Sequence, residues 1–369
     1  MKKIVLIILF SLYFVILSFG ILSSVFKNKP MPLYGYYQEK PKPDFNKEEY
    51  LNGELQKKTE DYLQEKIKLR PVLVRLYNQI NYSLYKKISV KGVVMGKEGY
   101  LFEKSYIDSY LGNDFIGQEE IKKYVNELND LNIELKKRGK RFLIVSAPSK
   151  ASYFSEYLPE KYLKQEKKIS NYLAFKEEIN KTNIPQIDFS EYFRKIKANH
   201  PYPLMNKNGI HWTRHAEHIV MDSLLVCFEK EFSYPMPKVE YKDSYTLDYA
   251  QFTDNDIEIA MNLLRKKPDF SLRYHNIEFT EKPENSPRAL VIGDSFYWGM
   301  IYMGLGQNAF SQSEFWYYNN EAYDGKEVKK LDKTLNKESL SKEIDNYDLI
   351  ILWQNEQNLI RLSLIFKKS

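Results

Sequence analysis

Short apolar stretches that alternate with amphipathic helices limit most strongly what this 369-residue chain can fold into. Three of these stretches are Arg141–Ser146, Ala289–Ile292 and Asp348–Trp353. Short continuous apolar runs are typical of strands buried on both faces, and amphipathic segments between them are typical of covering helices. The pattern therefore predicts an α/β fold, with a mostly parallel sheet and helices on both of its faces.

The other predicted elements follow the same periodicities. Helical patterns cover 47–88, Glu119–Arg138, Ser170–Thr182, Thr213–Phe232, 254–266 and 336–345; further strands are predicted at Ile184–Asp188 and Phe315–Tyr318, and a hairpin at Lys91–Phe102. Residues 233–288 are polar and interrupted by prolines, which predicts an irregular excursion with one short helix.

Residues 4–26 contain no charged side chain and follow Lys2 and Lys3. As a helix they would be about 35 Å long, enough to cross a bilayer core of about 30 Å. This favours an uncleaved membrane anchor over a cleaved signal peptide, for which Ser18-Phe19-Gly20 would be the cleavage site. In either case the rest of the chain is predicted to lie on the extracytoplasmic side of the cell membrane, in the periplasm or at the cell surface.

The predicted organisation has three parts: an anchor or uncleaved signal at 1–28, a spacer with a juxtamembrane helical region at 29–90, and one α/β domain at 91–369. The formal charge of +6 is spread over many lysines, which argues against a nucleic-acid partner. The single cysteine, Cys227, excludes an internal disulfide framework and the usual cysteine-ligated metal sites. No cofactor is expected.

Two segments carry side chains suited to acyl chemistry. Ser295 follows a predicted strand through Gly293 and Asp294, and a serine at a strand end lies near backbone amides that could form an oxyanion hole. His211 lies just before a predicted helix, and histidine is the natural base for a serine hydroxyl. Taken separately, each has an ordinary alternative, since Gly-Asp-Ser often forms only a turn and a lone histidine is often structural.

Four segments together resemble the SGNH-hydrolase-like domain of the alginate O-acetyltransferase family (AlgX/AlgJ type). They are Gly96–Phe102, Ala147–Lys150, Ile210–Thr213 and Gly293–Phe296. In this family the histidine segment precedes the serine segment, as it does here, whereas ordinary SGNH esterases have the reverse order. The resemblance covers roughly residues 65 to 360.

The resemblance implies an SGNH-hydrolase-like fold and an O-acyltransferase, most simply an O-acetyltransferase, that modifies an exopolysaccharide or cell-wall polymer. It implies that Ser295 is the nucleophile and His211 the general base. It also implies a polysaccharide acceptor and a multispanning membrane-bound O-acyltransferase partner that supplies the acyl group.

The chain departs from the family at Gly209, where the usual motif has an aspartate two residues before the histidine. Three interpretations remain open. A carboxylate from elsewhere, namely Asp188, Asp222 or Glu356, could orient the imidazole; a backbone carbonyl could hold it in a Ser–His dyad; or the protein could be a weak or inactive member. Loss of the orienting acid costs about 10⁴ in turnover in the best-studied triad.

Several polar residues at strand ends are candidates for the oxyanion hole or for substrate binding: Gly293, Asp294, Ser149, Lys150, Asn355 and Asn358. For Ser149 and Lys150 an ordinary strand exit is the competing interpretation, and Asp294 is expected to fix the turn rather than to orient His211. The positive end of the following helix is expected to lower the pKa of His211.

No metal site is expected. His211, His215 and His218 could share a helix face, but Trp212 stands where the zincin motif requires a glutamate. Two other functions compete with acyl transfer. An esterase would use the same serine and histidine with water as acceptor, and a catalytically impaired polysaccharide-binding or assembly subunit would account for Gly209 and the high aromatic content.

Overall fold

A computed structural model describes residues 2–23, 32–35, 40–66, 69–247, 249–266 and 271–359. The chain divides into two compact units. One consists of Met1–Lys91 with Glu258–Lys266, and the other of Gly92–Ile257 with Lys267–Ser369. All of the strands given below belong to the second unit.

Eleven strands are present in the described residues. They are β1 Val93–Met95, β2 Leu101–Glu103, β3 Arg141–Ala147, β4 Gln186–Asp188, β5 Val239–Tyr245, β6 Tyr274–Phe279, β7 Arg288–Gly293, β8 Gln312–Tyr317, β9 Glu321–Asp324, β10 Lys330–Leu331 and β11 Leu349–Asn355. Seven strands form one sheet in the order β10-β9-β8-β7-β11-β3-β4. The five strands from β8 to β4 are parallel, and β9 and β10 extend the sheet by antiparallel pairing.

Fifteen helices occur in the same residues. They are α1 Lys2–Ser23, α2 Lys47–Asn52, α3 Glu54–Lys66, α4 Arg70–Tyr85, α5 Lys104–Leu111, α6 Gln118–Lys137, α7 Lys150–Tyr153, α8 Glu160–Leu163, α9 Asn171–Ile179, α10 Phe189–Ile196, α11 Arg214–Lys230, α12 Asp256–Ala260, α13 Trp298–Tyr302, α14 Leu305–Ala309 and α15 Lys337–Glu343. Short 3₁₀ turns precede α12 and α13, at Phe252–Asn255 and Ser295–Tyr297.

Both faces of the central sheet are buried, as the continuous apolar runs require. Alternate side chains of one strand enter different hydrophobic clusters. On β11, for example, Ile351 and Trp353 pack on one face, while Ile350 and Leu352 pack on the other. The predicted α/β fold with helices on both faces is confirmed, and the bounds of the predicted strands agree with β3, β7, β8 and β11 to within three residues.

The strand register brings three loops to one edge of the sheet. Gly293 at the end of β7 is paired with Trp353 of β11, and Asn355 at the end of β11 is paired with Ala147 at the end of β3. Polar residues that follow these positions therefore meet beyond the carboxyl ends of the strands, where ligands bind in open α/β sheets.

The stretch predicted to be irregular contains a regular element. Strands β5 and β6 form an antiparallel hairpin with a register shift between Lys242 and Ser244. The side chains of β5 are mostly exposed, and the alternation of Val239 and Tyr241 with charged residues is interrupted at Asp243, where the register shift falls. The prediction of irregular structure was wrong here, and the helix expected at 254–266 ends at Ala260.

In the first unit, asparagine side chains tie the segment from Glu258 to Lys266 to other parts of that unit. Asn78 Nδ2 donates to the carbonyl of Met261 at 2.9 Å. Asn262 and Tyr34 exchange two hydrogen bonds, of 2.8 and 2.9 Å. Side-chain hydrogen bonds therefore hold residues 258–266 against the rest of the first unit.

None of the helices in the described residues is both long enough and apolar enough to cross a membrane. The predicted transmembrane helix at 4–26 is thus not confirmed, and its residues 24–26 lie outside the described part of the chain. Parts of the predicted spacer, at 29–31 and 36–39, also lie outside it.

We predict that Gly293→Ala destabilises the protein. A Cβ at this position would stand 2.7 Å from both the Cβ and the carbonyl oxygen of Trp353, so β7 and β11 would have to move apart. Overpacking of this kind costs about 1–3 kcal/mol. Urea unfolding followed by tryptophan fluorescence measures the loss, and unchanged stability would contradict the close approach of the two strands.

Candidate active site

Ser295 is held at the carboxyl end of β7 by a turn that Asp294 fixes. One carboxylate oxygen of Asp294 accepts a hydrogen bond from the Phe296 amide at 3.0 Å, and the other accepts one from the Asn355 amide at 2.7 Å. Asp294 is fully buried, and Ser295, the first residue of the 3₁₀ turn, is partly exposed. The turn thus places a partly exposed serine on a support that two hydrogen bonds to Asp294 hold in place.

His211 is positioned by a buried tryptophan and a helix cap. Trp212 packs edge-on against Phe296 and Trp353, with ring centroids 5.2 and 5.8 Å apart. Thr213 caps α11 through its side chain and donates its amide to the carbonyl of Leu204 at 3.0 Å. Contacts on the residues that follow His211 therefore fix the backbone from which its ring projects.

The imidazole of His211 joins a hydroxyl and a carboxylate. Its Nε2 lies 2.8 Å from Ser295 Oγ, and its Nδ1 lies 2.6 Å from Asp256 Oδ2. The other oxygen of Asp256 accepts hydrogen bonds from the amides of Ile210 and Ile257, at 2.8 and 2.7 Å. Asp, His and Ser thus form the hydrogen-bonded series of a nucleophilic triad.

Asp256 was not among the acids considered from the sequence. The three that were considered do not face His211, because each is held elsewhere by a hydroxyl or a cation. The partners are Tyr172 for Asp188 at 2.7 Å, Tyr241 for Asp222 at 2.8 Å and Arg194 for Glu356 at 2.7 Å. Asp256 begins a short helix in a stretch with no strong periodicity. The sequence therefore offers little to single it out as the orienting acid, beyond its being an aspartate next to the polar run Thr253–Asn255.

The segment that carries Asp256 lies where the side chain of an aspartate at position 209 would be. A Cβ on Gly209 would stand 2.8 Å from the carbonyl oxygen of Thr253, and 2.9 Å from both the Asp254 carbonyl and Asp256 Oδ1. The side chain of Asp254 also accepts a hydrogen bond, at 3.1 Å, from the backbone amide of Arg214, the first residue of α11. The lack of a side chain at Gly209 therefore leaves room for Asp256, which comes from a different segment of the chain.

Lys150 holds the backbone of the segment that leads to His211. Its Nζ donates hydrogen bonds to the carbonyls of Gly209 and Lys207, at 2.6 and 2.9 Å. Ser149 and Lys150 are both only 1% exposed, so neither faces solvent as a substrate contact would. Burial lowers the pKa of Lys150 to about 7, and the charge of Asp256 opposes that shift. The structure places Lys150 as a support for the backbone that leads to His211.

The remaining strand-end candidates form a buried network around Asp294. The side chain of Asn358 donates hydrogen bonds to Asp294 at 3.4 Å and to the Tyr318 hydroxyl at 3.1 Å. The side chain of Asn355 accepts a hydrogen bond from the backbone amide of Asn358 at 3.0 Å. Asn355 and Asn358 are almost fully buried, and Gly293 packs directly on the neighbouring strand. In this structure these residues shape the turn below Ser295.

The electrostatics of His211 differ from the expectation of a lowered pKa. Burial alone would lower the pKa of His211, but the charge and hydrogen bond of Asp256, with smaller contributions from Asp294 and Glu217, raise it above its ordinary value of 6.5. Burial also raises the pKa of Asp294 to about 6, although the amides of Asn355 and Phe296 act against this. For His211, the neighbouring carboxylates therefore outweigh the effect of burial on the pKa.

His211 does not share a metal-like cluster with His215 and His218. Its ring contacts Phe296, with centroids 4.7 Å apart, and its nitrogens face Ser295 and Asp256. The rings of His215 and His218 instead meet His275 of β6.

Residues 93–225 match a family model described as "SGNH hydrolase-like domain, acetyltransferase AlgX". The match includes His211, whereas Asp256 and Ser295 lie beyond it. It confirms the resemblance to the AlgX/AlgJ-type family and the SGNH-hydrolase-like character of the α/β fold. A comparison with curated proteins finds no match.

Several solved structures are similar to this chain. The O-acetyltransferase domain of Pseudomonas putida AlgJ is 15% identical, with a TM-score of 0.46 over 73% of this chain and 92% of that one. Bacillus cereus PatB1 is 12% identical, with a TM-score of 0.46 over 72% and 96%. Pseudomonas aeruginosa AlgX is 17% identical, with a TM-score of 0.46 over 74% and 66%.

We predict that Asp256→Asn lowers the turnover of p-nitrophenyl acetate by about 10²–10⁴ and moves the acid limb of its pH profile to lower pH. The base must be neutral, so activity is lost as pH falls through the pKa of His211. Removing the carboxylate removes the main influence that raises this pKa, while burial still lowers it. The profile of kcat/KM with pH measures both effects.

Asp222→Asn is the matched control, because Asp222 contacts Tyr241 rather than His211. It should keep the wild-type profile. Equal effects of the two substitutions would contradict the role assigned to Asp256.

We predict that Gly209→Asp, which restores the residue of the family motif, lowers activity at least about tenfold and destabilises the fold by about 1–3 kcal/mol. The new side chain would collide with the backbone at Thr253 and place a second carboxylate beside Asp256. Gly209→Ala separates the steric effect from that of charge. Activity above wild type in Gly209→Asp would contradict the displaced-acid interpretation.

Proposed function

We propose that this chain is an O-acetyltransferase that modifies an exopolysaccharide or cell-wall polymer through an acyl-serine intermediate. One observation carries the proposal: Asp256, His211 and Ser295 form an unbroken hydrogen-bonded series, with spacings of 2.6 and 2.8 Å, and Ser295 is partly exposed. The match of residues 93–225 to an acetyltransferase family supports the choice of acyl group.

The first half-reaction transfers the acetyl group to the enzyme. Ser295 Oγ attacks the carbonyl carbon of an acetyl ester or thioester donor as its proton passes to His211 Nε2. The tetrahedral intermediate collapses when the bond to the leaving oxygen or sulfur breaks, and the leaving group takes the proton from His211. The enzyme then carries an acetyl ester on Ser295 and a neutral imidazole.

The second half-reaction repeats these steps with a sugar hydroxyl. His211 removes the proton of the hydroxyl as its oxygen attacks the acetyl carbon on Ser295. The bond to Ser295 Oγ breaks, and Oγ recovers the proton from His211. The products are an acetylated sugar and the free enzyme, so atoms and charge balance over the cycle.

Asp256 stabilises the imidazolium that forms in both half-reactions. With its Oδ2 accepting from Nδ1, the carboxylate fixes the tautomer in which Nε2 can receive the serine proton. The backbone amide of Ser295 is a proposed donor to the oxyanion, since its residue begins the 3₁₀ turn directly above the end of β7.

We propose an extracytoplasmic location and a multispanning membrane-bound O-acyltransferase as the donor-supplying partner. The apolar stretch at residues 4–26 supports the location, and the family resemblance supports the partner. A polymeric acceptor would have to reach Ser295 from solvent. The partial exposure of this residue agrees with that requirement.

The position of Asp256 favours an active enzyme over an impaired binding subunit. Gly209 was the reason to expect impairment, and Asp256 supplies a carboxylate that contacts Nδ1 of His211. An esterase would use the same groups with water as acceptor, so the identity of the acceptor distinguishes the two activities.

We predict that Ser295→Ala lowers acetyl transfer by at least about 10³-fold while the fold is retained, because the nucleophile is lost and its partly exposed position tolerates a methyl group. The test uses the full chain in detergent with p-nitrophenyl acetate and oligosaccharide acceptors. Mass spectrometry follows acetyl groups on Ser295 and on the sugar.

Ser311→Ala, at an exposed serine, is the control and should behave like wild type. Serine-dependent acetyl transfer to the sugar supports the proposal. Release of acetate to water alone, at every acceptor concentration, would make the protein an esterase. Sugar binding without any serine-dependent chemistry, even with the membrane partner supplied, would make it a binding subunit.

A further inference from the structure

Four of the five histidines of this chain lie together, away from Ser295. His215 and His218 are three residues apart on the first turns of α11, and His275 lies on β6 of the hairpin. Ring centroids are 4.8 Å apart for His218 and His275, and 5.4 Å for His215 and His275. His200 adjoins the group, 5.1 Å from His215 by the same measure.

The ring nitrogens of three of these residues converge. One from each of His215, His218 and His275 lies within 4.8 Å of the others. The distance from His215 Nδ1 to His275 Nε2 is 3.3 Å. Two imidazole nitrogens on a tetrahedral zinc ion, each at about 2.0–2.1 Å from the metal, would be separated by about 3.3–3.4 Å. The spacing of this pair already suits a shared ion.

A hydrogen bond between neutral rings explains the contact of His215 with His275, but it does not explain His218. His218 is 4% exposed, and its Nε2 has no hydrogen-bond partner among the described residues. A buried polar atom normally has a partner, so its absence calls for a ligand or an ordered water. Stacking of the His218 ring on Tyr241, with centroids 4.6 Å apart, restricts its orientation.

We propose that His215, His218 and His275 bind a divalent transition-metal ion of the zinc type, which joins the start of α11 to strand β6. Three imidazoles without a nearby thiol suit zinc, copper or nickel, and they leave a fourth position for water. The ion would hold the first turns of the helix that begins three residues after His211.

The local charges are compatible with such an ion. Arg214, the nearest cation on the helix, forms an ion pair with Glu217 at 2.7 Å. Each of the three imidazoles would bind the ion in its neutral form, through a ring nitrogen that carries no proton. Of the three histidines, His275 lines a cleft of about 320 Å³ together with Arg214 and Tyr302.

The test measures zinc binding by the full-length protein after removal of metals with a chelator. Titration with ZnCl₂ against a chromogenic competitor is expected to give one equivalent per chain. His275→Gln should weaken binding at least about 100-fold, since even changes behind a ligand cost about 10–100-fold. The partly exposed position of His275 favours a folded variant, which circular dichroism would verify.

His211→Gln is the matched control, because it removes an imidazole from the proposed triad alone. It should abolish acetyl transfer and leave zinc affinity unchanged, so the metal site and the proposed function fail independently. Loss of zinc binding in His211→Gln with retention in His275→Gln would overturn the proposal. So would binding below about 0.1 equivalent in wild type. If His275→Gln fails to fold, Co²⁺ added to wild type decides, through the presence or absence of tetrahedral d–d bands in the visible spectrum.

Discussion

The hydrogen bond from His211 Nδ1 to Asp256 is the contact on which the proposed chemistry depends, and it joins residues 45 positions apart. No local motif connects them. The contact requires the absence of a side chain at Gly209, the cap that Asp254 provides at the start of α11, and the hold of Lys150 on the carbonyl of Gly209. We expect a change at Gly209, Asp254 or Lys150 to weaken the hold of the Asp256 carboxylate on the imidazole of His211.

The sequence was sufficient to locate the sheet and two of the three residues in the series. β3, β7 and β11 are apolar along most of their length because both of their faces are buried, and this makes them recognisable from the sequence. Ser295 follows from the strand end. His211 follows from the motif. These features are local, and local features leave a trace in composition and spacing.

Asp256 and the hairpin are much harder to predict from the sequence. Asp256 lies in a five-residue helix, too short for a periodic pattern, and the alternation along the exposed strand β5 is interrupted by a register shift. Asp188, Asp222 and Glu356 are equally plausible acids in the sequence. Tertiary packing decides against them, because it places them beside Tyr172, Tyr241 and Arg194. The burial of Lys150 is likewise a consequence of tertiary structure, since lysines are rarely buried without a partner.

The position of β11 in the sheet has a consequence for biosynthesis. It lies between β7 and β3, although it is the last of the seven strands to be made. Until it is available, β3 and β7 lack the neighbour that links them, and the amide of Asn355 cannot anchor the turn before Ser295. The proposed nucleophile would then be positioned late, by pairing of segments far apart in sequence, which is slow compared with local folding. A chain still bound to the ribosome would therefore lack the anchored turn that positions Ser295.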